Sequence, residues 1–137
     1  MNILVVDGQG GGMGRQLIEN IKKTFPSVTI TAVGTNALAT QTMLKAGADH
    51  AATGENAVIV GCRTADIIIG PIGIVIADSL WGEITPKIAT AIGQSNAFRI
   101  LLPMNQCSNI IVGVDELSAT KLIKQSLEEI KTILDDN

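Results

Sequence analysis

The densest chemical signal in the chain is the run Asp7-Gly8-Gln9-Gly10-Gly11-Gly12-Met13-Gly14-Arg15. It follows the apolar stretch Ile3-Leu4-Val5-Val6. It opens a segment whose apolar residues Met13, Leu17, Ile18, Ile21 and Phe25 fall at helical spacing, so a strand–loop–helix unit is predicted. The chemistry such a unit offers is anion binding. The first N–H groups of a helix lack intrahelical partners, and they carry about half a positive charge at the helix start. Gly8 is expected to turn the chain at positive φ, Gly12 to leave room for a phosphate, and Gly14 to let the helix lie close to the strands. The alternative is a flexible turn that binds nothing.

In an open parallel sheet, ligands bind beyond the carboxyl ends of the strands, at the point where the strand order reverses. Reading those ends gives a candidate cofactor-binding set: Asp7, Gly8, Gln9, Gly10, Gly11, Gly12, Met13, Gly14, Thr35, Asn36, Thr53, Asn56, Gly70, Pro71 and Asn105. Glu55, Met104 and Gln106 lie on the same rim. It is rich in amides, hydroxyls and glycine and poor in strong acids and bases, which suits hydrogen-bonded binding better than proton transfer. Each polar residue also has a structural use. Asn36 and Thr53 suit helix caps, Glu55 suits a first helical turn, and Asn105 and Gln106 suit the turn after Pro103. Gly70-Pro71 reads either as a close approach to a ligand or as a turn in a crowded sheet.

No catalytic residue emerges. His50 reads as an edge histidine, Cys107 has no activating partner in sequence, and Cys62 falls on a helical apolar face and is assigned to the core. One His and two Cys cannot close a zinc site. Asp78 and Glu83 flank Trp81 and read as a pair at a subunit contact anchored by Leu80 and Trp81.

The elements that must position these residues alternate. Strands are expected near 2–6, 28–33, 48–52, 66–70 and 99–102, with a sixth at Ile110–Val114. Helices are expected from Met13 to Pro26, from Asn36 to Gly47, over 55–65, over 71–82 and from Thr85-Pro86 to about Gln94. A last one, capped by Asp115 or Ser118, carries Ala119, Ile123, Leu127, Ile130 and Leu134 on its buried stripe. Alternation of this kind implies α/β architecture: a single doubly wound, mostly parallel sheet with helices on both faces, Rossmann-like, with residues 1–137 forming one domain.

Composition narrows the partners. The chain has 137 residues, 46% hydrophobic, 17% charged and 2% aromatic, with a net charge of −3. Nucleic-acid binding is not expected, because basic stripes and stacking rings are missing. Two cysteines suit a reduced cytoplasm rather than a disulfide framework. No stretch reads as a membrane span or signal peptide. The low charge suggests a homo-oligomer.

Three resemblances add to this reading. The spacing Gly8-x-x-x-Gly12-x-Gly14 resembles the fingerprint of the short-chain dehydrogenase/reductase family, which implies NAD or NADP as ligand. The end of the second strand, Val33-Gly34-Thr35-Asn36, has no acid for a ribose, and the chain has no Tyr for that family's Tyr–Lys device. The whole chain resembles a small bacterial family of short Rossmann-like proteins known as a domain of unknown function. That likeness rests on the glycine run, Gly70-Pro71-Ile72-Gly73-Ile74, Ala77-Asp78-Ser79-Leu80, Gly82-Glu83-Ile84-Thr85-Pro86 and Leu102-Pro103-Met104-Asn105. It implies the fold and a cytoplasmic setting, and no reaction. Lys87-Ile88-Ala89-Thr90-Ala91-Ile92 followed by Leu101-Leu102-Pro103-Met104-Asn105 is similar to FMN-dependent cysteine decarboxylases, in which a Pro-x-Met-Asn segment faces flavin and substrate. That likeness implies FMN. The expected function is therefore nucleotide or dinucleotide binding of NAD(P) type, with the phosphate on Gly8–Gly14. The alternatives are an oligomeric oxidoreductase or FMN-dependent enzyme with a shared site, and a structural protein with an empty loop.

Overall fold

A computed structural model describes residues 1–104 and 108–137. Its elements run β1 (Asn2–Asp7), α1 (Gly12–Thr24), β2 (Thr29–Gly34), α2 (Ala37–Lys45), β3 (His50–Thr53), α3 (Glu55–Thr64), β4 (Ile67–Pro71), a 3-10 turn (Ile72–Val75), α4 (Pro86–Gln94), β5 (Phe98–Leu102) and α5 (Ala119–Asp135). The five strands form one parallel sheet in the order β3-β2-β1-β4-β5.

The central strands are apolar without alternation because both faces are covered. Ile3 and Val5 point into a core shared with Leu17, Ile18 and Ile21 of α1, Met43 of α2, and Leu122, Ile123 and Ile130 of α5. Leu4 and Val6 point the other way, into a core with Val58 of α3, Ile88 and Ile92 of α4, and Ile74, Leu80 and Ile84. Caps fix the helix starts. Asn36 accepts from Ala39 N at 2.9 Å, Thr85 from Ile88 N at 3.2 Å with Pro86 behind it, and Ser118 from Lys121 N at 3.3 Å.

Two expected elements are absent. No α-helix forms over 71–82. Pro71 ends β4, one 3-10 turn follows, and then Asp78, Leu80 and Trp81 take φ of 66°, 54° and 58°. Those left-handed residues exclude a right-handed helix. They also let Ile74, Leu80 and Ile84 all reach the same core. The sixth strand at Ile110–Val114 does not form either. Ile110 and Val112 stand 91% and 93% exposed beyond the sheet, so their β-branched composition finds no strand to pair with. The third strand starts at His50 rather than Ala48, and Cys62 is half-buried rather than fully in the core.

Candidate anion-binding site

Strand order reverses between β1 and β4, and there the glycine loop leaves the sheet. A cleft of about 270 Å³ opens at that point. It is lined by residues 7–13 with Gln16, Pro71, Leu80, Met104 and Ala119.

The loop is braced from below by Asp7. This carboxylate, 5% exposed, accepts from Gly8 N at 2.8 Å and from Gly14 N at 2.7 Å. Burial pushes its pKa above the usual carboxylate value. The bonds from Gly14 and Gly8 pull it back, and Glu83 adds repulsion. Gly11 N closes a turn onto Gly8 O at 2.9 Å, and Arg15 N returns to Gly11 O at 2.9 Å. The loop thus consumes the amides of Gly8, Gly11 and Gly14. The N–H groups of Gly10, Gly12 and Met13 meet no protein acceptor among the described residues. Two of them belong to the first turn of α1, where N–H groups point out of the helix.

The glycines divide by role. A Cβ on Gly8 would lie 2.6 Å from Thr35 Oγ1 and 3.0 Å from Leu80 Cδ1, and one on Gly14 would strike Met43 Sδ. Gly11, at φ 74°, would set its Cβ 2.9 Å from Ala39 backbone atoms. These three are demanded by packing. Gly10 and Gly12 would meet nothing within 4 Å, so only they leave open space over the free amides. The expected positive φ at Gly8 is not found; Gln9, at 50°, and Gly11 make the turn.

A second brace comes from Glu83, on the segment between β4 and α4. Its Oε1 accepts from Gln9 N at 3.0 Å, Thr35 Oγ1 at 2.7 Å and Asn36 Nδ2 at 2.7 Å. Partial desolvation raises its pKa, but these three bonds outweigh it and hold the carboxyl below its usual value. Asn36 Nδ2 also donates to Gln9 O at 2.9 Å. Thr35 and Asn36 thus tie β2 to the glycine loop through Glu83 and Gln9. Glu83 acts as an intramolecular clasp, and Leu80 beside it is buried.

Other expected residues are placed elsewhere. Thr53 and Asn56 sit by the edge strand β3, with β2 between them and the cleft; the Thr53 hydroxyl faces Thr40 Oγ1 at 2.6 Å. Gly70 is set by the sheet itself, since a Cβ there would strike Val6 O. Pro71 does line the cleft. Glu55 accepts from Thr85 Oγ1 at 2.6 Å, joining the starts of α3 and α4. Arg15 is exposed and pairs with Glu19 at 3.3 Å. His50 is exposed on β3 and borders a separate apolar groove of about 400 Å³ beside α3. Asn105, Gln106 and Cys107 lie outside the described residues.

Sequence reasoning missed Glu83 as a site organiser. The signal that could have found it is the unmatched pair of donors Thr35 and Asn36 at an acid-free strand end. Among the described residues, Asp7 is the only ionisable side chain lining the cleft, and no His/Cys/Asp/Glu group could hold a metal. The arrangement can bind an anion through backbone amides. Among the described residues it presents no nucleophile with a base beside it.

A parallel sheet in this order, with a glycine loop opening α1 at the reversal point, defines an α/β domain of the Rossmann type. Within that class the chain belongs to the family described as a domain of unknown function (DUF3842), whose model matches residues 2–135. No curated protein matches it. Among solved structures it is similar to a dodecameric FMN-dependent UbiX-like decarboxylase from Escherichia coli O157:H7. Identity is 16% and the TM-score 0.48, over 96% of this chain and 94% of that one. At that identity and overlap, the neighbour's cofactor and assembly stay its own. Among the described residues no helix is long and apolar enough to cross a membrane.

Proposed function

We propose that the protein binds a small phosphate-bearing molecule, with the phosphate on the N–H groups of Gly10, Gly12 and Met13. One observation carries this reading: those three amides line a cleft and have no protein acceptor among the described residues, while their neighbours are all consumed. The space above Gly10 and Gly12 supports it.

The cleft argues for a compact ligand. Its volume of about 270 Å³ lies just below the range of about 300–1,000 Å³ usual for ligand pockets. A dinucleotide would also need the end of β2 for a ribose. Thr35 and Asn36 there are locked to Glu83, so NAD and NADP lose the support that the glycine spacing lent them. The organic part of the ligand runs instead toward β5. There a hollow of about 510 Å³ adjoins the cleft through Met104 and Ala119. A mononucleotide or similar phosphate ester fits that course. FMN is the second reading, favoured by the position of Met104 on both hollows.

The test is a thermal-shift panel of inorganic phosphate, AMP, FMN, NAD and NADP on wild type and Gly12→Asp. A ligand at about 100 times its Kd adds about 2.7 kcal/mol of stability. AMP or FMN should stabilise the wild type, with FMN the stronger if the second reading holds. The Gly12→Asp carboxylate enters open space at a helix start, so the fold survives while the anion is excluded. No shift with any ligand, or equal shifts in the variant, overturns the proposal.

A further inference from the structure

Three large apolar side chains stand more than nine-tenths in solvent: Trp81 at 96%, Val112 at 93% and Ile110 at 91%. The next most exposed, Leu38, reaches only 61%. All three lie on the two segments that follow β4 and β5, at the carboxyl rim of the sheet. The segments meet around the glycine-loop cleft. Leu80, next to Trp81, lines that cleft with Met104, and Met104 lines the adjoining hollow with Ile110 and Val114.

The segment that presents Trp81 is held firmly. Asp78 N donates to Ile84 O at 2.7 Å, Gly82 N to Asp78 O at 3.1 Å and Ile84 N to Ser79 O at 3.2 Å. Leu80 is buried beneath it, and Glu83 clasps Gln9, Thr35 and Asn36. Within this frame Asp78, Leu80 and Trp81 keep left-handed backbone at φ of 66°, 54° and 58°. Bulky residues avoid that region unless their surroundings impose it, and such strain gathers where a surface has a task. Here it keeps an indole out of the core.

Charge identifies the occupant. Residues 76–84 carry Asp78 and Glu83, the hollow beside Ile110 carries Asp115 and Glu116, and the cleft carries Asp7; none of the three carries Lys or Arg. The nearest bases along the chain, Lys87 and Lys121, lie in the first turns of α4 and α5 and line neither hollow. A second copy pressed rim to rim would oppose like charges, and an anionic bilayer would be repelled. We infer that the rim of Trp81, Ile110 and Val112 docks a basic amphipathic segment of another protein. Its apolar residues cover these three side chains, and its Lys or Arg face Asp78, Asp115 and Glu116. Aromatic anchors ringed by charge are the usual form of such a contact.

Trp81 is the only tryptophan, so its emission reports the contact without any ligand. The full chain is titrated with a synthetic Leu/Lys amphipathic peptide, its Leu/Glu counterpart and phosphatidylglycerol vesicles. The Leu/Lys peptide should shift the emission to the blue saturably, and less so in high salt. The Leu/Glu peptide and the vesicles should not. Ile110→Asp, Val112→Asp and the pair Asp115→Lys, Glu116→Lys should each weaken binding about tenfold or more, whereas Leu38→Asp on another face should not. The inference is overturned by no shift, by equal response to the acidic peptide or the vesicles, or by undiminished binding in the rim variants. A blue shift of the protein alone that grows with its concentration overturns it too, since a second copy then covers Trp81.

Discussion

Replacing Glu83 with Ala removes one acceptor atom and three hydrogen bonds. They come from Gln9 N, Thr35 Oγ1 and Asn36 Nδ2 at 3.0, 2.7 and 2.7 Å. A hydrogen bond to a charged group contributes about 1.5–3 kcal/mol. These three share one oxygen at a partly solvated site, and Asn36 Nδ2 keeps Gln9 O, so solvent screening brings the total to about 2 kcal/mol. Unfolding entropy of about 2.1 cal/mol/K per residue over 137 residues converts that loss to a fall in Tm of about 7 °C. The sign of the pH dependence is fixed as well. The folded pKa of Glu83 is lowered, so its stabilisation is present above the unfolded value of about 4.3 and is lost as pH falls through the folded value. Thermal denaturation of wild type and Glu83→Ala between pH 7 and pH 3 should therefore show a gap that is full near neutrality and narrows in acid. Glu83→Gln, which keeps a neutral acceptor, should fall between the two. A Tm unchanged at pH 7, or a gap as wide at pH 3 as at pH 7, would refute the clasp.

Gly14→Ala drives a methyl into Met43 and to 3.1 Å from Asp7 Cβ, and should cost about 2 kcal/mol in urea denaturation. Gly12→Ala, with nothing within 4 Å, should be neutral or stabilising by about 0.5 kcal/mol in the same assay. Trp81→Asn relieves a left-handed tryptophan that is 96% exposed, and should stabilise by a few tenths to about 1 kcal/mol by chemical denaturation.

Much of this fold was legible because local signals agreed with it. The continuous apolar runs Ile3–Val6 and Ile67–Ile69 are strands covered on both faces, and Asn36, Thr85 and Ser118 cap the helices they precede. The glycine loop was legible as a helix entrance, but not in its detail. Which glycines serve packing depends on Met43, Ala39 and Thr35, whose approach only the tertiary structure sets. Glu83 was hidden for the same reason, since it meets Gln9 across 74 positions of chain. The segments 71–82 and 110–114 misled because β-branched and apolar residues look alike whether they fill a core turn or stand in solvent. Ile74 does the first and Ile110 the second.

The central claim concerns three named amides, and an amide-resolved titration observes them directly. In 15N–1H spectra recorded with increasing AMP, the cross-peaks of Gly10, Gly12 and Met13 should move saturably downfield. Those of Gly8 and Gly14, already bonded to Asp7, should move far less. Stationary peaks at Gly10, Gly12 and Met13, or larger movements at Gly8 and Gly14, would contradict the account.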